Sequence, residues 1–191
     1  AFGIFRDVYL LQIPSVFIKR TYMKYLVSSD GKKVSVNSGI SITNNRYVSD
    51  TLAAGVSYIL KVKAFNALDV LSAESTIDIG ALAKGKEVSK TITLEVQNPQ
   101  LWSPSSPVGY TLQYELHKGS EKIDEFSVPA QFYRLDASKD KFLLNAAEFR
   151  LQGVTYIPTS PSEDELPSYS DYEADLMLIK ESGFNAVRLP M

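Results

Sequence analysis

A chain of 191 residues, 45% hydrophobic and 22% charged, is ordinary globular material, long enough for one sizeable core and part of another without covalent staples. A formal net charge of −2 offers no basic stripe for a phosphate backbone, and no window approaches the roughly eighteen apolar residues of a membrane helix, so nucleic acid and membrane are not expected partners. The lack of cysteine excludes disulfides and thiolate metal sites but leaves the compartment open between periplasm, cytoplasm and secretion.

In chain order, residues Ile4 to about Ser138 read almost entirely as short strands. Apolar residues fall at every second position in Val34, Val36, Ile40 and Ile42, then in Val56, Tyr58, Leu60 and Val62, and again in Tyr110, Leu112, Tyr114 and Leu116. Ile92, Leu94 and Val96 repeat the pattern. This is the alternation of antiparallel strands with one wet face. Asp30-Gly31, Gly80, Gly85 and Gly119-Ser120 supply turn chemistry between the runs. The spacing predicts a sandwich of about seven strands, with no helix-period segment before Tyr169. His117 alternates outward from Leu116, and with no second histidine to share a metal or proton it is expected at the surface.

The last fifty or so residues change character. RLQGVTY and FNAVRLP are short apolar strands, and SDYEADLMLIKESG between them has the period of a helix that stops at Gly183. Ser170 followed three residues later by Glu173 predicts the capping box. Tyr172, Leu176 and Ile179 form an apolar stripe suited to lie on a parallel sheet. Lys139 to Asn145 is the expected seam, dividing the chain into 1–138 and 139–191. Pro158 to Ser168 is a loop rich in proline, serine and acid at the end of the first parallel strand.

These residues carry a resemblance. FLLNAAEFRLQGVTY, followed by DLMLIKESGFNAVRLP, resembles the entry into the catalytic (β/α)8 barrel of glycoside hydrolase family 2, the group of β-galactosidases, β-mannosidases and β-glucuronidases. Phe2 to Leu11, FGIFRDVYLL, is similar to the family's passage from the jelly-roll domain into the immunoglobulin-like domain. Asn98 to Leu112, NPQLWSPSSPVGYTL, is similar to that domain's Pro-x-Leu-Trp-Ser-Pro loop. The resemblance implies a mainly β chain: an immunoglobulin-like antiparallel β-sandwich followed by a truncated βαβ piece of a (β/α)8 barrel. One departure is Asn145-Ala146-Ala147, where the family usually carries an Asn-Gly hairpin turn.

Retaining glycosidases need two carboxylates about 5 Å apart, one as nucleophile and one as acid. The resemblance places both beyond Met191, so no catalytic residue is expected in this chain, and neither a metal nor a cofactor. Glu163, Asp164 and Glu165 are the dense acidic group, and adjacent acids in a loop read as a solvated face. Arg188, in Asn185-Ala186-Val187-Arg188, matches the family's Asn-x-x-Arg, whose arginine orients the nucleophilic carboxylate. Asn185 and Tyr156 are the other expected supports of the substrate site. Thr155-Tyr156-Ile157-Pro158 is closer to the mannosidase-like branches, which leaves the sugar undefined. Trp102 is either a stacking platform for a sugar ring or a side chain packed into the sandwich, the second being the ordinary role of such an indole.

The resulting expectation is a non-catalytic β-sandwich domain, with a barrel start, of a retaining enzyme acting on β-linked sugars. Its partners would be a carbohydrate substrate and the flanking domains of the same polypeptide, and the 191 residues alone would be inactive. Val154, Tyr156, Val187 and Leu189 would lack their barrel partners, which predicts self-association or folding back onto the sandwich. The rival reading is a stand-alone immunoglobulin-like module binding carbohydrate or protein. The parallel crossover separates the two, since a binding module does not need one.

Overall fold

A computed structural model describes residues 8–45, 56–138, 140–159 and 167–190. Two compact units result, one made of Gln12–Leu135 with Leu144–Ala146, the other of Asp136–Leu143 and the residues from Ala147 onward, together with 8–11.

The first unit holds β1 (Val16–Val27), β2 (Lys33–Asn44), β3 (Tyr58–Asn66), β4 (Leu71–Gly80), β5 (Glu87–Gln97), β6 (Tyr110–Lys118) and β7 (Glu121–Ala130). They form two antiparallel sheets in the orders β1-β2-β5 and β4-β3-β6-β7. The alternation explains the pairing of the sheets. Val34, Val36, Ile40 and Ile42 of β2, with Ile92, Leu94 and Val96 of β5, turn to one face, while Tyr58, Leu60 and Val62 of β3 and Leu112, Tyr114 and Leu116 of β6 turn to the facing one. Together they make one buried core, whose driving force is the apolar area withdrawn from water. Two polar atoms enter that core as a pair: the Ser38 hydroxyl and the Tyr114 hydroxyl lie 2.9 Å apart, so neither is left unsatisfied. At the β1/β7 side the Ile18 N–H donates to the Asp124 carboxylate at 2.7 Å, closing the sandwich across its edge. The turn expected at Asp30-Gly31 is present, with Gly31 at φ 71° and Asp30 accepting from the Ser28 hydroxyl and the Lys32 N–H.

His117 departs from expectation. It is buried, 9% exposed, with Nε2 3.0 Å from Glu115 Oε2. His117 does alternate outward, beside Glu115, but β6 is an inner strand whose outer face is covered by long neighbours, so pointing outward there does not mean exposure. Lys63 on β3 donates to Glu115 Oε1 at 2.8 Å, and Lys122 on β7 pairs with Glu125 beside it. Burial would raise the Glu115 carboxyl, but the hydrogen bonds from Lys63 and His117 outweigh it and hold it below its ordinary value.

Beyond β7 the chain forms a small meander of β8 (Leu135–Ser138), β9 (Lys141–Leu144) and β10 (Ala147–Phe149), ordered β10-β9-β8. The turn between β9 and β10 places Asn145 at φ 53° and Ala146 at φ 69°, the two successive positive values of a type I′ turn. The hairpin therefore forms on Asn-Ala where glycine would be the unstrained choice. Asn145 is pinned on three sides: its Oδ1 accepts from the Arg134 N–H at 2.9 Å, its own N–H donates to Arg134 O at 2.8 Å, and its Nδ2 donates to Trp102 O at 2.9 Å.

The second unit ends in β11 (Gly153–Thr155), α1 (Tyr169–Glu181) and β12 (Ala186–Arg188). β11 and β12 are parallel, with Gly153, Val154 and Thr155 opposite Ala186, Val187 and Arg188. A parallel pair needs a crossover, and the helix supplies it. Its start is corrected by two residues: the capping box is Ser168 with Asp171, the Ser168 hydroxyl accepting from the Asp171 N–H and the Asp171 carboxylate accepting from the Ser168 N–H at 2.7 Å. Ser170 already lies inside the helix, so it cannot cap it. The stop at Gly183 holds, with φ 88° and its N–H donating to Lys180 O while the Phe184 N–H reaches Ile179 O, the paired bonds of a Schellman ending. No α1 residue is buried, and no described helix is long and apolar enough to cross a membrane.

The expected stripe is also corrected. The least exposed helix positions are Asp171, Asp175 and Ile179, spaced by four, while Tyr172 and Leu176 are exposed and line a groove of about 250 Å³ with Tyr169, Glu173, Met177 and Lys180. The cause is a polar bond: Asp175 is drawn beneath Tyr156, and that bond turns its face of the helix toward the strand pair.

Candidate functional site

The carboxyl ends of β11 and β12 lie side by side, because Thr155 is in register with Arg188 and the Tyr156 N–H donates to Arg188 O at 3.0 Å. Parallel strands put both ends on one edge of the sheet, the edge at which barrels carry their chemistry. The structure therefore brings Tyr156 and Arg188 together in backbone.

Asn185 holds that edge from below. Its Oδ1 accepts from the Gln152 N–H at 2.8 Å and its Nδ2 donates to Arg150 O at 2.8 Å, while its own N–H donates to Gln152 O at 2.9 Å. Both ends of its amide are thus spent on the segment leading into β11. An aspartate could not donate to Arg150 O, and an alanine could do neither, so the amide is the residue type that clips two parallel strands at their entry.

Tyr156 points its hydroxyl at the helix, donating to Asp175 Oδ2 at 2.6 Å. The hydrogen bond to a carboxylate opposes ionisation of the phenol, and with burial and the surrounding negative charge it pushes Tyr156 up to about 12. Tyr156 is accordingly a fixed proton donor, already engaged, and not a base near neutral pH. Asp175 was missed in the sequence, where it reads as one more solvated acid of a helix.

Arg188 has an exposed side chain and forms no ion pair among the described residues. With its backbone fixed by the ladder, the exposed guanidinium at the strand end offers a planar fork of donors that fits a carboxylate. Val187 and Leu189 beside it are exposed, Leu189 to 61%, whereas Val154 and Tyr156 are half-buried. Glu163, Asp164 and Glu165 lie outside the described residues, as do Phe2 to Asp7 of the first resembling segment. No group of metal-ligating side chains is gathered among the described residues.

Trp102 stands elsewhere, in the first unit. Its backbone N–H donates to Phe132 O at 2.8 Å, and its half-buried ring lies 5.7 Å from that of Tyr133 at 55°. Tyr133 in turn meets Tyr25, and Tyr25 the buried ring of Phe132, so the indole ends an aromatic row that runs into the core.

Comparison with known proteins puts a family to this arrangement. The family described as "Glycosyl hydrolases family 2" matches residues 16–130. A β-galactosidase of Bacteroides ovatus is 28% identical over 97% of this chain and 21% of its own length. A β-glucuronidase of Bacteroides fragilis is 27% identical over 98% of this chain and 27% of its own length. The chain therefore spans about a fifth to a quarter of these relatives. Among solved structures, a glycosyl hydrolase family 2 member from Bacteroides cellulosilyticus superposes with a TM-score of 0.77 at 21% identity, over 93% of this chain and 22% of that one. A β-glucuronidase of Bacteroides uniformis gives 0.77 at 17% identity, over 94% of this chain and 22% of that one. The sandwich, matched along β1 to β7, belongs to glycosyl hydrolase family 2.

Proposed function

We propose that residues 1–138 are the immunoglobulin-like β-sandwich domain, and 139–191 the opening of the (β/α)8 barrel, of a retaining family 2 glycosidase acting on β-linked sugars. In that reading the sandwich buttresses the barrel and contributes no bond chemistry, while the nucleophile and acid come from later barrel strands. Arg188 would fix the nucleophilic carboxylate: its positive charge favours the ionised form, so the carboxylate stays ready to attack the anomeric carbon. Attack would form a glycosyl-enzyme ester and release the leaving group with a proton from the acid, and water would then cleave the ester with the acid acting as base. Asn185 sets the height of the arginine through its hold on the β11 entry, and Tyr156 closes the same edge against the helix.

The observation that carries this reading is the parallel pairing of β11 with β12 across α1, in a family 2 chain, with Arg188 at the strand end. A barrel closes with about 250 residues, of which these strands are the first pair. The isolated 191-residue chain should therefore hydrolyse no aryl β-glycoside. Turnover that persists after host enzymes have been removed would overturn the proposal.

A further inference from the structure

The outer face of the β1-β2-β5 sheet carries one aromatic ring in an unusual position. Tyr22 pairs with Gly39, and a Cβ built on Gly39 would collide with the ring of Tyr22. The ring therefore lies flat across the glycine, one face on the sheet and the other open to water, and the residue is 59% exposed.

Around it the sheet register sets out a polar frame. One flanking row is Lys24, Asn37 and Thr93; the other is Arg20, Ser41 and Ser89; Thr91 continues the central row beyond Gly39. Thr93 donates to Asn37 Oδ1 at 2.8 Å and the Ser41 and Ser89 hydroxyls pair at 2.9 Å, which orients Asn37 with its amide hydrogens directed elsewhere. The charges are unequal. Lys19 pairs with Glu87 at 2.6 Å and Lys33 with Glu95 at 3.2 Å, whereas Arg20 and Lys24, on either side of Tyr22, form no ion pair among the described residues.

A flat π face presents negative charge to the weakly positive C–H bonds of a sugar ring, and the two cations, about 14 Å apart along the strand, present donors to carboxylates. We propose that this face binds a uronate-bearing glycan. Tyr22 is the floor under one sugar, Arg20 and Lys24 pair with carboxylates of the chain, and Asn37 and Thr91 meet its hydroxyls. From the family assignment this takes only that the protein meets carbohydrate, and it is independent of where the catalytic acids lie.

The test is calorimetric titration of the full chain at low salt with a hyaluronan hexasaccharide, which carries β-linked glucuronate, and with neutral cellohexaose. Hyaluronan should bind about tenfold or more tighter than cellohexaose, and the preference should fade as salt screens the cations. Tyr22→Phe should keep the affinity within about twofold, and Tyr22→Ala should weaken it about tenfold or more. Because Tyr22→Ala uncovers Gly39 and could loosen the sheet, the double variant Arg20→Gln/Lys24→Gln gives a second reading: it should bring hyaluronan down to the level of cellohexaose. No saturable hyaluronan binding by the parent chain, equal binding of the two sugars, or full affinity in a folded Tyr22→Ala chain would each overturn the proposal and leave Tyr22 as a cover for the glycine.

Discussion

The β9–β10 turn makes a prediction with a definite sign. Ala146 sits at φ 69°, where the Cβ of an L-residue crowds the following carbonyl at a cost of about 1–2 kcal/mol. Asn145 before it, at φ 53°, is the residue type that tolerates this region, and its three hydrogen bonds keep the turn from relaxing into another type. Ala146→Gly removes the crowding but gives the unfolded chain more freedom, which offsets about 0.5–1 kcal/mol. The net gain is about 0.5–1 kcal/mol, or roughly 1–4 °C in Tm for a chain of this length. Differential scanning calorimetry of the purified chain measures it, with Ala147→Gly as the control: Ala147 opens β10 with an ordinary φ, so glycine there should destabilise by about 0.5–1 kcal/mol. Should Ala146→Gly lower Tm in step with the control, the turn is not the one described and the reasoning fails.

Three further outcomes follow from the charges and clips. Glu115 is held below its ordinary value when folded, so its contribution to stability is complete above the unfolded carboxylate range near pH 4 and disappears as pH falls through the lower folded value. Glu115→Gln should accordingly cost about 1–2 kcal/mol at pH 7 and flatten the acid side of the stability profile, as read by urea unfolding between pH 2 and 7. An unchanged acid slope would remove Glu115 from the account. In an ultraviolet titration of the tyrosines, Tyr156→Phe should delete a phenol that ionises near 12, and Asp175→Asn should return that phenol toward the usual range; titration of Tyr156 with the surface phenols would contradict the 2.6 Å bond. Asn185→Ala should free the Gln152 amide, seen as faster hydrogen exchange there than in β2, at a local cost of about 1–2 kcal/mol. Equal protection in variant and parent would show that the clip carries no weight.

What could be read from residues alone divides along physical lines. β2, β3, β5 and β6 each bury one face of a sheet, so period-two alternation is imposed on them and shows directly in Val34 to Ile42, Tyr58 to Val62, Ile92 to Val96 and Tyr110 to Leu116. β5 is an edge strand too, but its pairing with β2 runs without a register shift and its alternation survives, whereas the pairings of the edge strands β1, β4 and β7 carry shifts such as that between Ile18 and Arg20, which blur the pattern. His117 fell on the wrong side of the rule because a central strand can bury polar groups on its outer face when they satisfy one another, as Glu115, Lys63 and His117 do. The helix is legible in extent, but its cap at Ser168 lies two residues before the Ser170-Glu173 signal, and its less exposed stripe follows the bond between Tyr156 and Asp175 and not hydrophobicity. At the candidate site, it is the resemblance to the family's Asn-x-x-Arg that singles out Asn185 and Arg188. The use of the Asn185 amide on two backbone groups of a segment over thirty residues away has no sequence signature.

The central claim, that Arg188 ends the second strand of a glycosidase barrel, is tested most directly on the longer polypeptide it requires, trapped with a slow mechanism-based aryl β-glycoside and solved crystallographically. The account predicts a glycosylated carboxylate within about 3 Å of the Arg188 guanidinium, with β12 the second of eight parallel strands. A labelled carboxylate on another face of the protein, or β11 and β12 remaining an isolated pair, would contradict it.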